Sequence, residues 1–92
     1  YLDTEQRARA AFIHETLRRM QAEVHKGAVS HAAIEANAEK GLREKGFDPD
    51  YAAVRRADDL GLPAVGQSRA LIALIAARLG STRLIDNLLL DE

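Results

Sequence analysis

Cysteine is absent from the 92 residues, and with it go any disulfide framework, zinc ribbon, iron–sulfur cluster or thiol nucleophile. That absence suits the cytoplasm. An excess of one charge is also missing. Thirteen basic residues stand against fourteen acidic ones, for a net charge of −1, so there is no electrostatic case for a dedicated nucleic-acid binder. No apolar run is long: Ala70 to Ala77, eight residues, falls far short of the roughly 20 that span a bilayer. The N-terminus, Tyr1-Leu2-Asp3-Thr4-Glu5, has neither the basic nor the apolar block of a signal peptide, and no initiating methionine. The sequence therefore reads as a piece of a longer chain. What is present, 47% hydrophobic beside 29% charged residues, fits one globular domain over 1–92.

Helical periodicity dominates the first half. Ile13, Leu17, Met20 and Val24 recur at steps of four, three and four, which places them on one face of a helix from about Asp3 to Lys26. Asp3 is a suitable N-cap, with Gln6 completing a capping box. Acid-before-base pairs, Asp3–Arg7, Glu5–Arg9 and Glu15–Arg19, line the wet side. Lys26-Gly27 supplies a stop. Ser30 then caps a second helix over about 31–45, with Val29 and Ile34 in staple positions and a thin stripe of Ala33, Ile34, Ala38 and Leu42. Gly46 ends it, and Phe47 is placed to fold back on Leu42 in a Schellman closure.

After Asp48-Pro49-Asp50 the texture changes. Residues 51–57 read as a short strand. Residues 58–68, with Gly61, Pro63 and Gly66, read as a loop with room for a turn of helix. Residues 69–79 suit either a buried strand or a buried helix on local grounds. Gly80-Ser81 tips the balance, because a Gly-X pair between two apolar runs is a hairpin signal. The expected fold is α+β: two antiparallel helices packed on a small three-stranded antiparallel sheet that ends in a β-hairpin.

The chemistry-bearing residues do not assemble into a known active-site pattern. His14-Glu15 opens like the zinc-protease motif, but Arg18 stands where the second histidine belongs. His25 and His31 have no zinc-site spacing, so all three histidines read as solvated. Gly41 to Gly46 has P-loop glycine spacing, yet Phe47 replaces the lysine and no strand precedes it. Asp58-Asp59 reads as a solvated acidic pair. Arg55, Arg56, Arg69, Arg78 and Arg83 would partly align on neighbouring strands and could meet an anion; pairing with Asp58, Asp59 or Asp86 is the plainer reading. Asp86-Asn87, breaking an apolar strand, reads as a pair that hydrogen-bonds backbone.

The stretch 76–87, A-A-R-L-G-S-T-R-L-I-D-N, closely resembles the C-terminal end of the pantothenate synthetase (pantoate–β-alanine ligase) family. Tyr1-Leu2 with Glu5-Gln6-Arg7 resembles that family's Y-L-x-x-E-Q-R. Glu44-Lys45-Gly46-Phe47, Val54-Arg55, Ala57-Asp58 and Leu60 match its later blocks in order. Arg56 departs from members that carry an acid there. The resemblance covers essentially the whole chain.

It implies a cytoplasmic ligase of coenzyme A precursor biosynthesis. ATP and pantoate, with Mg²⁺, give pantoyl adenylate and pyrophosphate; the amine of β-alanine then gives pantothenate and AMP. It further implies that residues 1–92 are the C-terminal lid over a Rossmann-like nucleotidyltransferase domain. That domain would hold the histidine motif, the pantoate pocket, the M-S-S-R-N segment and the dimer contact. Matched residue by residue, no catalytic, cofactor-binding or metal-binding role carries over to this sequence. The 92 residues alone are accordingly expected to be inactive and to leave ATP unbound at micromolar levels; a monomer is expected, though apolar surface exposed without the partner domain could self-associate. The competing reading is a stand-alone interaction or scaffold module of the same fold.

Overall fold

In the computed structural model, which describes residues 4–91, the spaced stripe of the first segment becomes one buried seam. Ile13, Leu17, Met20 and Val24 lie on α1 (Thr4–Lys26), each 3% exposed or less. The expected Glu5–Arg9 and Glu15–Arg19 pairs form on its outer side. The Asp3 cap and the Asp3–Arg7 pair lie outside the described residues. Gly27 closes the helix at a φ of +67°, a conformation that costs glycine nothing.

α2 (His31–Glu44) starts where Ser30 Oγ accepts the Ala33 N–H at 3.1 Å. Its end is the expected Schellman closure. Gly46 N–H donates to Arg43 O and Phe47 N–H to Leu42 O, both at 3.0 Å. Phe47 then stacks on Phe12 of α1, with ring centroids 6.0 Å apart, and locks the two helices together.

The remaining elements are β1 (Asp48–Arg56), β2 (Leu71–Leu79) and β3 (Thr82–Leu89), antiparallel in the order β1-β2-β3. The α+β reading therefore stands. Two boundaries differ from expectation. β1 begins at Asp48, because an edge strand tolerates Pro49; the register slips between Pro49 and Tyr51, leaving Asp50 as the extra residue. Residues 57–70 hold turns but no helical turn, and Ala57 N–H donates to Ala70 O at 2.8 Å across their neck. Of the ambiguous run 69–79, Leu71–Leu79 form the central strand, which sends Leu71, Ala73, Ile75 and Ala77 into the core and Ile72 and Leu74 to the other, apolar face. Gly80, at φ +62°, and Ser81 connect the closing pair Leu79–Thr82.

Both helices cover one sheet face. There Ala52, Val54, Leu71, Ala73, Ile75 and Ala77 meet the α1 and α2 stripes in a single core. Strand alternation sends Tyr51, Ile72, Leu74, Ile85 and Leu89 to the other face. No element packs on that face among the described residues. Ile85 stays 60% exposed and Leu89 50%.

Candidate functional site

The cationic groups singled out in the sequence divide among four places. Arg55 turns to the β1 edge. Its Nη1 donates at 2.8 Å to Glu35 Oε2, and that same oxygen accepts the Val54 N–H at 2.8 Å. Nη1 also reaches Val54 O at 2.9 Å. α2 thus supplies a carboxylate that seals one rung of the strand's outer edge. Glu35 was not foreseen, since nothing local marks a carboxylate whose partners lie 19 and 20 residues away.

Arg56 pairs with Asp59, as the plain reading held. Asp59 Oδ1 also accepts the Gly61 N–H at 2.8 Å, an Asx-type turn. That backbone donor, then Arg56, holds the Asp59 carboxyl below the usual carboxylate range, while Asp59 raises the Arg56 guanidinium. A Cβ on Gly61 would sit 2.7 Å from Arg56 Nη2 and 2.9 Å from Asp59 Oδ1, so only glycine admits the pair as it stands.

Arg78 and Arg83 do align, as a directly opposed pair on β2 and β3. Their partner is neither Asp58, Asp59 nor Asp86 but Asp50. Asp50 Oδ2 lies 2.8 Å from Arg83 Nε and 3.5 Å from Arg78 Nε. The bulge at Pro49–Tyr51 delivers this carboxylate between two like charges that would otherwise repel. The Arg83 hydrogen bond is the main reason the Asp50 carboxyl titrates below its ordinary range. Arg69, just before β2, lines a cleft with His25, Ser68 and Asp91.

The histidines lie at the surface as expected, His14 and His25 exposed and His31 partly buried, but two of them also hold backbone. His25 Nε2 is 2.6 Å from Leu90 O, and His31 Nε2 is 2.8 Å from Gln67 O. A carbonyl only accepts, so each imidazole carries its proton on Nε2 and ties a helix end to a loop. His14 stands 3.6 Å from Asp86 and accepts from Arg18 Nε at 3.4 Å. Asp86 does bond backbone, as expected: its Oδ1 accepts the Asn87 N–H at 2.8 Å.

Gly41 to Gly46 is the end of α2 and not a phosphate loop. Among the described residues no group of three His, Asp or Glu side chains could hold a metal ion. None of the helices among them is long and apolar enough to cross a membrane. The one broad surface without a covering layer among these residues is the apolar sheet face, rimmed at its hairpin end by the Arg78–Asp50–Arg83 network.

The family model described as Pantoate-beta-alanine ligase matches residues 1–89. A pantothenate synthetase of Ectopseudomonas mendocina (strain ymp) is 45% identical over 91 residues, 99% of this chain and 32% of that protein. One from Xylella fastidiosa (strain M12) is 52% identical over 89 residues, 96% of this chain and 31% of that protein. A crystal structure of pantothenate synthetase from Thermus thermophilus superposes with a TM-score of 0.76 at 31% identity, covering 98% of this chain and 32% of that one. The chain therefore spans about a third of the length of the relatives it matches. With the family model matched from residue 1 to residue 89, the chain belongs to the pantoate–β-alanine ligase family.

Proposed function

We propose that this chain is the C-terminal lid domain of a two-domain, ATP-dependent ligase that condenses pantoate with β-alanine. The observation that carries the reading is the bare sheet face. Tyr51, Ile72, Leu74, Ile85 and Leu89 share it, Ile85 at 60% and Leu89 at 50% exposure, while both helices pack on the opposite side. A two-layer domain with one apolar face uncovered has a surface to seat on a neighbour, and for a lid that neighbour is the rim of the active site.

Strand direction supports the same assignment. A Rossmann-like nucleotide-binding half is built on parallel strands with helical crossovers, and its ligands sit at the strands' carboxyl ends. Every strand pair here is antiparallel. Neither a glycine-rich loop with a following lysine nor a three-ligand metal cluster is found among the described residues, and in this reading ATP and Mg²⁺ belong to the other domain. No chemical step is assigned to these residues. Their contribution is exclusion: an acyl adenylate is hydrolysable, and closure keeps water out while the amine enters. Dimerisation through the other domain and a cytoplasmic location belong to the same reading.

The test is a domain exchange. In the Ectopseudomonas mendocina relative, the segment matching this chain is deleted in one protein and replaced by this chain in another. The replaced protein is expected to form pantothenate with AMP release. The deleted one is expected to lose amide formation while still releasing pyrophosphate, and the 92 residues alone to do neither. Full-rate pantothenate synthesis by the deleted protein, or pyrophosphate release by the isolated chain, would overturn the reading. The placement at the C-terminal end is checked separately by the coding sequence upstream of Tyr1. A nucleotidyltransferase domain ending in M-S-S-R-N is expected, and a start codon adjoining Tyr1 would refute it.

A further inference from the structure

The two edges of the sheet are not alike. In a two-residue hairpin the closing pair, Leu79–Thr82, is hydrogen-bonded, and pairs alternate from there. The N–H and C=O of Ala52, Val54 and Arg56 therefore point out from β1, and those of Arg83, Ile85, Asn87 and Leu89 point out from β3. Along β1 the outer edge is closed at Val54 and Arg56, and the outward groups of Ala52 alone are left without a partner among the described residues. Val54 N–H is held by Glu35 and Val54 O by Arg55. Arg56 N–H donates to Gly61 O and Arg56 O accepts from Leu60 N–H, each at 2.9 Å. Pro49 and the bulge interrupt the far end. Along β3 only the Asn87 N–H is occupied, by the Asp86 side chain. The outward groups of Arg83, Ile85 and Leu89 have no partner among the described residues.

We infer that β3 is an association edge and that its partner is the β3 of a second copy, paired antiparallel about a two-fold axis at Ile85. The strand's own residues argue for that occupant. In this register the open face reads Arg83 against Asn87, Ile85 against Ile85, and Asn87 against Arg83. A guanidinium meets an amide carbonyl and apolar meets apolar, with no like charges directly opposed. All the outward-pointing groups of residues 83, 85 and 87 find backbone partners, and the two three-stranded sheets become one of six strands. The half-exposed side chain of Ile85 gains its twin as a neighbour. Asp86 is the brake, because its carboxylate occupies the Asn87 N–H that the register needs. This inference concerns the 92 residues themselves and does not rest on the lid reading.

Sedimentation equilibrium and amide hydrogen exchange on the intact chain test it. The weight-average mass is expected to rise reversibly toward twice the monomer as concentration approaches ~1 mM, the weak range fitting an interface well below the standard size. Over the same range the Ile85 and Arg83 amides should slow in exchange, while the Val54 amide does not change. Ile85→Lys puts two ammonium groups face to face at the axis on an already exposed position, and should give a folded monomer. Asp86→Ala removes one competing acceptor per copy and should tighten the dimer about tenfold. A wild-type chain that stays monomeric at ~1 mM would overturn the inference. So would an Ile85→Lys chain that associates as the wild type does, or a dimer whose Ile85 amide stays unprotected, the result expected if the apolar faces stack instead.

Discussion

Single residues in this domain work mostly as backbone partners. Glu35, Asp59, Asp86 and Asp91 each accept a main-chain N–H, at Val54, Gly61, Asn87 and Ala70 respectively. One of these bonds was legible, that of Asp86 as an acid breaking an apolar strand; the sequence marks Asp59 only as a solvated acid or an arginine partner. Glu35 and Asp50 were not legible, because their partners are far along the chain and no periodicity encodes them. Gly41 is a different case. It lies inside α2, and a Cβ there would meet nothing within 4 Å. Gly41→Ala should therefore stabilise the domain by about 0.5–1 kcal/mol, the helix-propensity difference, measured as a shift in urea midpoint at constant slope. No shift, or destabilisation, would mean that the groove beside Gly41, between the helices, needs its open space.

At the scale of elements, helices were easier to read than strands. A 3.6-residue period with caps at both ends is local information, and the α1 stripe and the Gly46–Phe47 closure followed from it. β1 was harder, since its alanines and Pro49 carry little strand signal; what makes it a strand is pairing with β2. The hairpin at Gly80-Ser81 was the exception, a tertiary feature written in two adjacent residues.

The turn after β1 carries a pH dependence whose sign is fixed. Asp59 and Asp50 both titrate lower in the folded chain than unfolded. Their contribution is fully present above the ordinary carboxylate range, near ~4, and is lost as pH falls through the lowered folded values. The thermal midpoint should be flat with respect to these groups at neutral pH and should decline on the acid side. Asp59→Asn should lower the neutral-pH plateau slightly and flatten part of that decline. A variant whose acid limb matches the wild type would dissociate Asp59 from the effect. The raised Arg56 value adds nothing in this window, because guanidinium stays charged throughout.

For the molecule as a whole, stability rests on one small core enclosed by α1, α2 and the inner sheet face. Leu17 is fully buried at its centre. Leu17→Ala should cost about 2–5 kcal/mol through lost transfer energy and the cavity left behind. A domain of this size holds only some ~5–15 kcal/mol in total, so denaturant titration should show a much weakened or lost cooperative transition. A cost below about 1 kcal/mol would mean the core can collapse into the gap. The architecture at this scale was legible in the sequence because apolar pattern and turn chemistry agreed with each other. The bare face was not, because Ile85 and Leu89 look like any other core residues until the strands are laid side by side.

The neck between Ala57 and Ala70 has a practical corollary. One hydrogen bond at 2.8 Å gathers the ends of a long connection while Leu62 and Val65 remain in solvent. Chain added between residues 61 and 66 would lengthen a loop whose ends are already held, and each doubling of its length costs only about 0.6 kcal/mol. That makes the connection the natural port for a peptide tag or a fluorescent reporter, inserted at the exposed stretch around Leu62 and Val65, between the Gly61 carbonyl bonded to β1 and the Gln67 carbonyl bonded to His31 of α2.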